Sequence, residues 1–177
     1  MEARIAELVR AGSDEALDAL YARYADEIQG VAYLILRDRF AAEDVMAETL
    51  ITAWKRGRDL RDGGALRPWL LKIATNHALA ALRRRRDVRP IDQVDIPTAD
   101  STGPVAARIV LLAAVDRLPA QMRAAVVLHY YSDLSVDDVA RALGKSPNTI
   151  KSQLRVGLGH LRTAWQGADG GRFQDVG

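Results

Sequence analysis

The chain has 177 residues, 49% of them hydrophobic and 27% charged, with a formal net charge of +2 at pH 7. That length suits one domain or two small ones. The near balance of charge means that any nucleic-acid surface must come from local clustering. With no cysteine, disulfides, thiol catalysis and cysteine-ligated metals are excluded.

The N-terminal stretch MEARIAELVRAGSDEAL is charged and helical in pattern, unlike a signal peptide. No apolar run approaches the roughly 18 residues that suggest a bilayer span. Membrane insertion is therefore not expected, and a cytoplasmic location is. Strand signals are nearly absent, and an all-α fold is expected.

Taken in order, AELVRAGSDEALDALYARYADEIQGVAYLIL has helical periodicity, with Ser13 placed as an N-cap ahead of Leu17, Leu20, Tyr21 and Tyr24. AAEDVMAETLITAWKRG reads as a helix with Glu43 and Asp44 in its first turn and Gly57 just past its end. RDLRDGGALRP reads as a loop. WLLKIATNHALAALRRRR follows as a helix. At 3.6 residues per turn, Leu70, Ile73, Ala74, His77, Ala78 and Ala81 share one side. Lys72, Thr75, Asn76, Arg83 and Arg86 share the other, interrupted by Leu79. Cations at a helix C-terminus favour the macrodipole, which accounts for one or two arginines better than for four. A polar stripe that carries an amide and grows more basic has the character of a nucleic-acid track. Trp69, at the start of this helix, is expected to pack in the core.

These helices form one bundle, residues 1–87. Residues 88–104 hold prolines and several aspartates and no helical period, and read as an irregular linker. Helical pattern resumes for a second domain, 105–165, with 166–177 expected to be a disordered tail. In PAQMRAAVVLHYY, Pro119 suits a first turn and the Tyr-Tyr pair reads as core. In LSVDDVARALGKSPNTIKSQLRVGLGHLR, Ser135 caps a short helix and Gly144 makes the turn. Ser146 then caps a second helix with Pro147 in first position. Two short helices joined by a glycine turn make a helix-turn-helix. Ile150, Leu154, Leu158 and Leu161 point inward on the second. Asn148, Thr149, Ser152 and Arg155 point outward, with Lys151 and Gln153 at the flanks. Such a face can enter a major groove and read base edges.

Catalysis finds no footing. The three histidines, His77, His129 and His160, stand in no metal or triad spacing, and His77 lies on the apolar side of its helix. Walker, dinucleotide and nucleophile-elbow motifs are missing from the sequence. No catalytic residue, metal site or cofactor is expected.

The order of these segments resembles the extracytoplasmic-function (ECF) class of the bacterial sigma-70 family of RNA polymerase sigma factors. ALDALYARYADEIQGVAYLIL, AAEDVMAETLITAW and LRPWLLKIATNHALAALRRRR are similar to successive parts of region 2, and LPAQMRAAVVLHYYSDLSVDDVARALGKSPNTIKSQL to region 4. The resemblance implies an alternative sigma factor that joins core RNA polymerase, directs promoter-specific initiation and helps open the duplex.

By that resemblance Asp44 and Glu48 would face the clamp helices of the polymerase largest subunit. Arg61, Arg67, Lys72, Thr75, Asn76, Arg83 and Arg86 would serve the minus-ten element, where a base is flipped into a pocket. Asn148, Thr149, Lys151, Ser152, Gln153 and Arg155 would serve the minus-thirty-five element, and region 4 would also meet the polymerase flap. An anti-sigma factor is a further implied partner. Ala47 and Leu50 depart from the glutamine and phenylalanine frequent in the family. Val156 and Leu158 stand where it usually carries cations. The alternative is a conventional helix-turn-helix regulator on duplex DNA, which leaves the first half unexplained. A recombinase or nuclease would need an enzyme fold that the sequence lacks.

Overall fold

The computed structural model describes residues 1–60, 65–88 and 104–170. Among them the ordered elements are helical, and no strand occurs. The segment expected to be a linker, apart from Val88 and Pro104 at its ends, lies outside the described residues, so its irregularity is not described.

Helix α1 (Glu2–Ala11) stops where Gly12 turns left-handed, with φ 67°, a conformation that suits a residue without a β-carbon. Helix α2 (Glu15–Leu36) follows, and the Ser13 hydroxyl accepts from Glu15 N at 3.3 Å. Leu20 and Tyr24 are buried, whereas Leu17 and Tyr21 face solvent. Helix α3 (Arg39–Lys55) begins earlier than its sequence suggests. Asp38, in extended conformation, accepts from Ala41 N at 3.0 Å and caps it, so Glu43 and Asp44 fall in the second turn. Gly57 lies just past the end of the helix as expected, with Arg56 as the capping residue. It opens a single 3-10 turn (Gly57–Asp59) packed against α1. Helix α4 (Leu66–Val88) carries the basic track.

In the second half, α5 (Pro104–Asp116) and α6 (Ala120–Val126) are followed by one π-helical turn (Val127–Tyr131). Then come α7 (Val136–Leu143) and α8 (Pro147–Gly170). Helix α8 runs five residues into the segment expected to be a disordered tail, and residues 171–177 lie outside those described. The π turn explains a misreading of the sequence. It widens the helix just before Ser132, and Leu128 and Leu134 take the buried places. Tyr130 and Tyr131 are left 48% and 50% exposed rather than in the core.

Two apolar clusters hold the molecule together. One gathers Ile5, Leu20, Tyr24, Ile28, Leu50 and Leu70 from α1 to α4, with Trp69 packed at its edge. The other joins Val31, Ile35, Leu71 and Leu79 of the first bundle to Leu128, Leu134, Val139, Ile150 and Leu154 of the second. The two helical units therefore share a core in this arrangement, with α7 lying along α4.

Candidate nucleic-acid interface

Helix α4 presents Lys72, Asn76 and Arg83 to solvent, three residues that recur on one face of the helix. Thr75 does not join them. It is fully buried and its hydroxyl has no hydrogen-bond partner. Leu79, which interrupts the polar stripe in sequence, is buried as well. Both follow from one cause: α4 is packed by α2 and α3 on one side and by α7 on the other, so its exposed strip is narrower than a two-sided helix would allow.

Arg67 occupies the first turn of α4. Its guanidinium donates to both Glu27 oxygens, at 3.1 and 2.5 Å, and to the Ser132 carbonyl at 2.6 Å. Its backbone N–H donates to Glu2 at 3.3 Å. Such charge-assisted, two-point pairing fixes an arginine firmly. At the other end of the helix, Arg83 and Arg84 are exposed, while Arg85 pairs with Asp38 at 2.6 Å. The Asp38 carboxyl is held below its usual range, first by the Ala41 N–H and then by Arg85. Arg61 and the Arg86 side chain lie outside the described residues.

The second candidate surface is built by α7 and α8. Ser135 accepts from Asp138 N at 3.1 Å and donates to the Asp138 carboxylate at 2.6 Å. Arg141 also pairs with Asp138. The Ser135 hydroxyl first, and Arg141 after it, hold the Asp138 carboxyl below its ordinary value. Gly144 makes the turn at φ 62°, and Ser146 accepts from Thr149 N at 3.1 Å. These local caps set the angle at which α8 leaves the turn. Ile150 and Leu154 are buried beneath it, and Asn148, Thr149, Lys151, Ser152 and Arg155 stand exposed. Gln153 departs from its expected place at the flank. It is half-buried, and its side-chain carbonyl oxygen is enclosed without a partner, because its position turns it toward the packed side of α8.

Asp44 and Glu48 are both exposed on α3. Glu48 approaches His77 Nδ1 at 3.2 Å, and His77 Nε2 lies 3.2 Å from Thr52 Oγ1. His77 thus ties α3 to α4. Sequence reasoning missed the apolar part of this face. Phe40, 81% exposed, and Ile51 share the outward strip with Asp44, Ala47 and Glu48. The signal was present, since two large apolar residues at helical spacing from two outward acids make a mixed face suited to a protein partner.

No group of three or more histidines and carboxylates suited to a metal occurs among the described residues. No helix among them is long and apolar enough to cross a membrane.

Comparison with known proteins places the chain in a family. The family model for Sigma-70 region 2 matches residues 20–88, and that for Sigma-70, region 4 matches residues 108–161. The ECF RNA polymerase sigma factor SigM of Mycobacterium tuberculosis is 33% identical over 145 residues, 81% of this chain and 74% of the relative. RNA polymerase sigma factor CarQ of Myxococcus xanthus is 30% identical over 161 residues, 88% of this chain and 92% of the relative. The fold resembles the sigma factor RpoE of Bartonella quintana, solved with the anti-sigma factor NepR. The TM-score is 0.69 at 24% identity, over 84% of this chain and 96% of the other. CnrH, solved with the cytosolic domain of CnrY, also gives 0.69, at 20% identity over 92% and 95% of the two chains. With both sigma regions present in order, and a relative matched over four-fifths of this chain, the protein belongs to the ECF sigma factors of the bacterial sigma-70 family.

Proposed function

We propose a division of labour between the two DNA-facing surfaces of this alternative sigma factor, which directs promoter-specific transcription initiation. Lys72, Asn76 and Arg83 on α4, together with Arg67, Arg61 and Arg86, engage the minus-ten element. The amide discriminates an unpaired base and the cations hold phosphates. Extruding a base costs stacking energy, which favours DNA that is already opening. On α8, Asn148, Thr149, Lys151, Ser152 and Arg155 meet the minus-thirty-five element in the major groove. Gln153, turned inward, supports this helix rather than reading DNA. Thr75 likewise supports α4 in the packed arrangement.

The α3 strip of Phe40, Asp44, Ala47, Glu48 and Ile51 docks on the clamp of core RNA polymerase, and region 4 meets the flap. The protein acts in the cytoplasm, as a non-catalytic subunit. An anti-sigma factor is the partner that restrains it, by analogy with the sigma factor RpoE solved with the anti-sigma factor NepR.

The observation that carries this reading is the pairing of two exposed polar faces, on α4 and α8, in a single chain with both sigma regions. A duplex-binding regulator would need only the second. The test is run-off transcription with sigma-free core polymerase. Promoter-specific transcripts are expected only when the protein is added, and their absence on every promoter of a genomic library would overturn the reading.

A further inference from the structure

Asp44 and Glu48 stand one turn apart on the outward strip of α3, and their surroundings differ. Asp44 is exposed and has no hydrogen-bond or ion-pair partner among the described residues. Glu48 meets a neighbour from another helix: its Oε2 lies 3.2 Å from Nδ1 of His77 on α4. The ring does not depend on that contact alone. Its Nε2 lies 3.2 Å from the hydroxyl of Thr52, which follows Glu48 by one turn and shares its face of α3. Both ring nitrogens of His77 are therefore engaged by α3, one of them by a docking residue.

The chemistry of the groups fixes their roles. An ionised carboxylate only accepts hydrogen bonds, so the ring nitrogen facing it, Nδ1, carries the hydrogen. In the neutral imidazole Nε2 is then the acceptor, and the Thr52 hydroxyl donates to it. Thr52 thereby sets the plane of the ring, and the ring aims a single N–H at Glu48.

This contact does little for the stability of the fold. The Glu48 side chain is 54% exposed and that of His77 30%, and pairs in contact with water contribute little. Its effect falls on binding. A glutamate gives up much rotamer freedom when it is fixed, and a side chain already ordered in the free protein spares that cost on association. Ala47 and Ile51, which flank Glu48 on the strip, have no polar group with which to hold it.

We propose that His77 is a positioning residue for polymerase docking: braced by Thr52, it holds the Glu48 carboxylate in the orientation in which α3 presents it to the clamp. The proposal rests on the docking role given above for the α3 strip. His77 acts through Glu48 and leaves Asp44 to dock unsupported.

The affinity of the full-length protein for sigma-free core RNA polymerase is measured by titration, beside a thermal melt of each variant. His77→Ala, and Thr52→Val by loosening the ring, should each weaken core binding by about two- to tenfold. The amide nitrogen of asparagine falls near the place of Nδ1, whereas that of glutamine falls near Nε2. His77→Asn should therefore keep near wild-type affinity, and His77→Gln should behave as His77→Ala does. A residue that merely packs α3 on α4 would show no such split. The effect of His77→Ala should also vanish in a Glu48→Ala background and persist in an Asp44→Ala background, since only Glu48 is a partner of His77. Should His77→Ala lower the melting temperature, Thr52→Val in the same two backgrounds decides in its place, with the same expectations. Wild-type affinity in His77→Ala, equal affinities of His77→Asn and His77→Gln, or an undiminished effect in the Glu48→Ala background would overturn the proposal. Wild-type affinity in Glu48→Ala itself would instead overturn the docking role of Glu48.

Discussion

Gly57 is pressed against the backbone of Val9, so closely that a β-carbon would collide with the Val9 carbonyl oxygen. This contact seats α1 on the short turn that follows α3. Because the obstacle is backbone rather than a flexible side chain, relief requires α1 to move. Gly57→Ala should therefore destabilise the protein by about 1–3 kcal/mol. In a thermal melt that is a drop of several degrees, at about 2–4 °C per kcal/mol for a chain of this size. Gly159, in α8, has open space where a β-carbon would sit. Gly159→Ala should raise stability by about 0.5–1 kcal/mol through helix propensity. Equal effects at the two glycines would contradict the packing described for Gly57.

Tyr24 adds a second hold on α1. Burial first, and then the nearby Glu2 carboxylate, push its pKa up to about 12. A folded-state value above the unfolded one means that the stabilisation is complete below about pH 10 and is lost as pH rises toward 12. Two units correspond to on the order of 2–3 kcal/mol. Chemical denaturation across pH 9–12 should show stability falling in that window, and Tyr24→Phe should flatten the fall. An identical alkaline profile in the variant would remove Tyr24 as its cause.

The Ser135 cap holds the first helix of the helix-turn-helix at the angle that α8 inherits. Ser135→Ala removes the acceptor for Asp138 N and should cost about 1 kcal/mol. It also removes the main influence holding the Asp138 carboxyl low. A depressed carboxylate stabilises above its unfolded pKa, and that contribution disappears as pH falls through the folded value. The variant should therefore lose less stability than wild type on acidification below pH 4, although it starts lower. A denaturant series at pH 7 and pH 3 checks both statements.

These caps are legible in the sequence because capping is a local affair. Ser135, Gly144 and Ser146 act on neighbours three or four positions away. The failures share the opposite cause. Thr75 and Leu79 lie on what periodicity marks as a polar side, yet helices distant in the chain cover α4 there. Leu79 is the one residue in that stripe that hints at a second packing surface. The Tyr130–Tyr131 pair reads as core to any apolar count, and only the π turn sends it outward. Asp38 escapes notice as a cap because the apolar pattern of α3 begins later than its hydrogen bonding does. The family assignment does not depend on these details, since it rests on two long segments in the correct order.

Arg155 is the cation on the exposed face of α8 that is best placed beside Ser152 and Lys151. Arg155→Ala should weaken binding to the cognate minus-thirty-five sequence. Loss of a base-edge pair would be worth roughly 1–3 kcal/mol and would be confined to the cognate sequence. Loss of a phosphate contact would weaken all sequences alike and make the salt dependence shallower by about one ion. Titrations on cognate and scrambled promoters at several salt concentrations separate the two. Unchanged binding by the folded variant would exclude Arg155 from the interface.

Asn76 carries the sharpest test of promoter opening. It is exposed in mid-helix, where asparagine is a poorer helix former than alanine. If the residue were only structural, Asn76→Ala would be neutral or slightly stabilising in every assay. A base-reading amide predicts a split outcome instead. The variant should melt at or slightly above the wild-type temperature and bind core polymerase normally, yet form several-fold fewer open complexes. Since extruding a base costs stacking energy, a premelted bubble should restore part of the opening defect. Lost discrimination at the recognised base should persist on that bubble, because melting does not replace the missing amide. Permanganate reactivity of promoter thymines, measured beside core binding and a thermal melt, reads all three quantities. Wild-type opening together with wild-type base preference would exclude Asn76 from base recognition and shift attention to the segment 58–68.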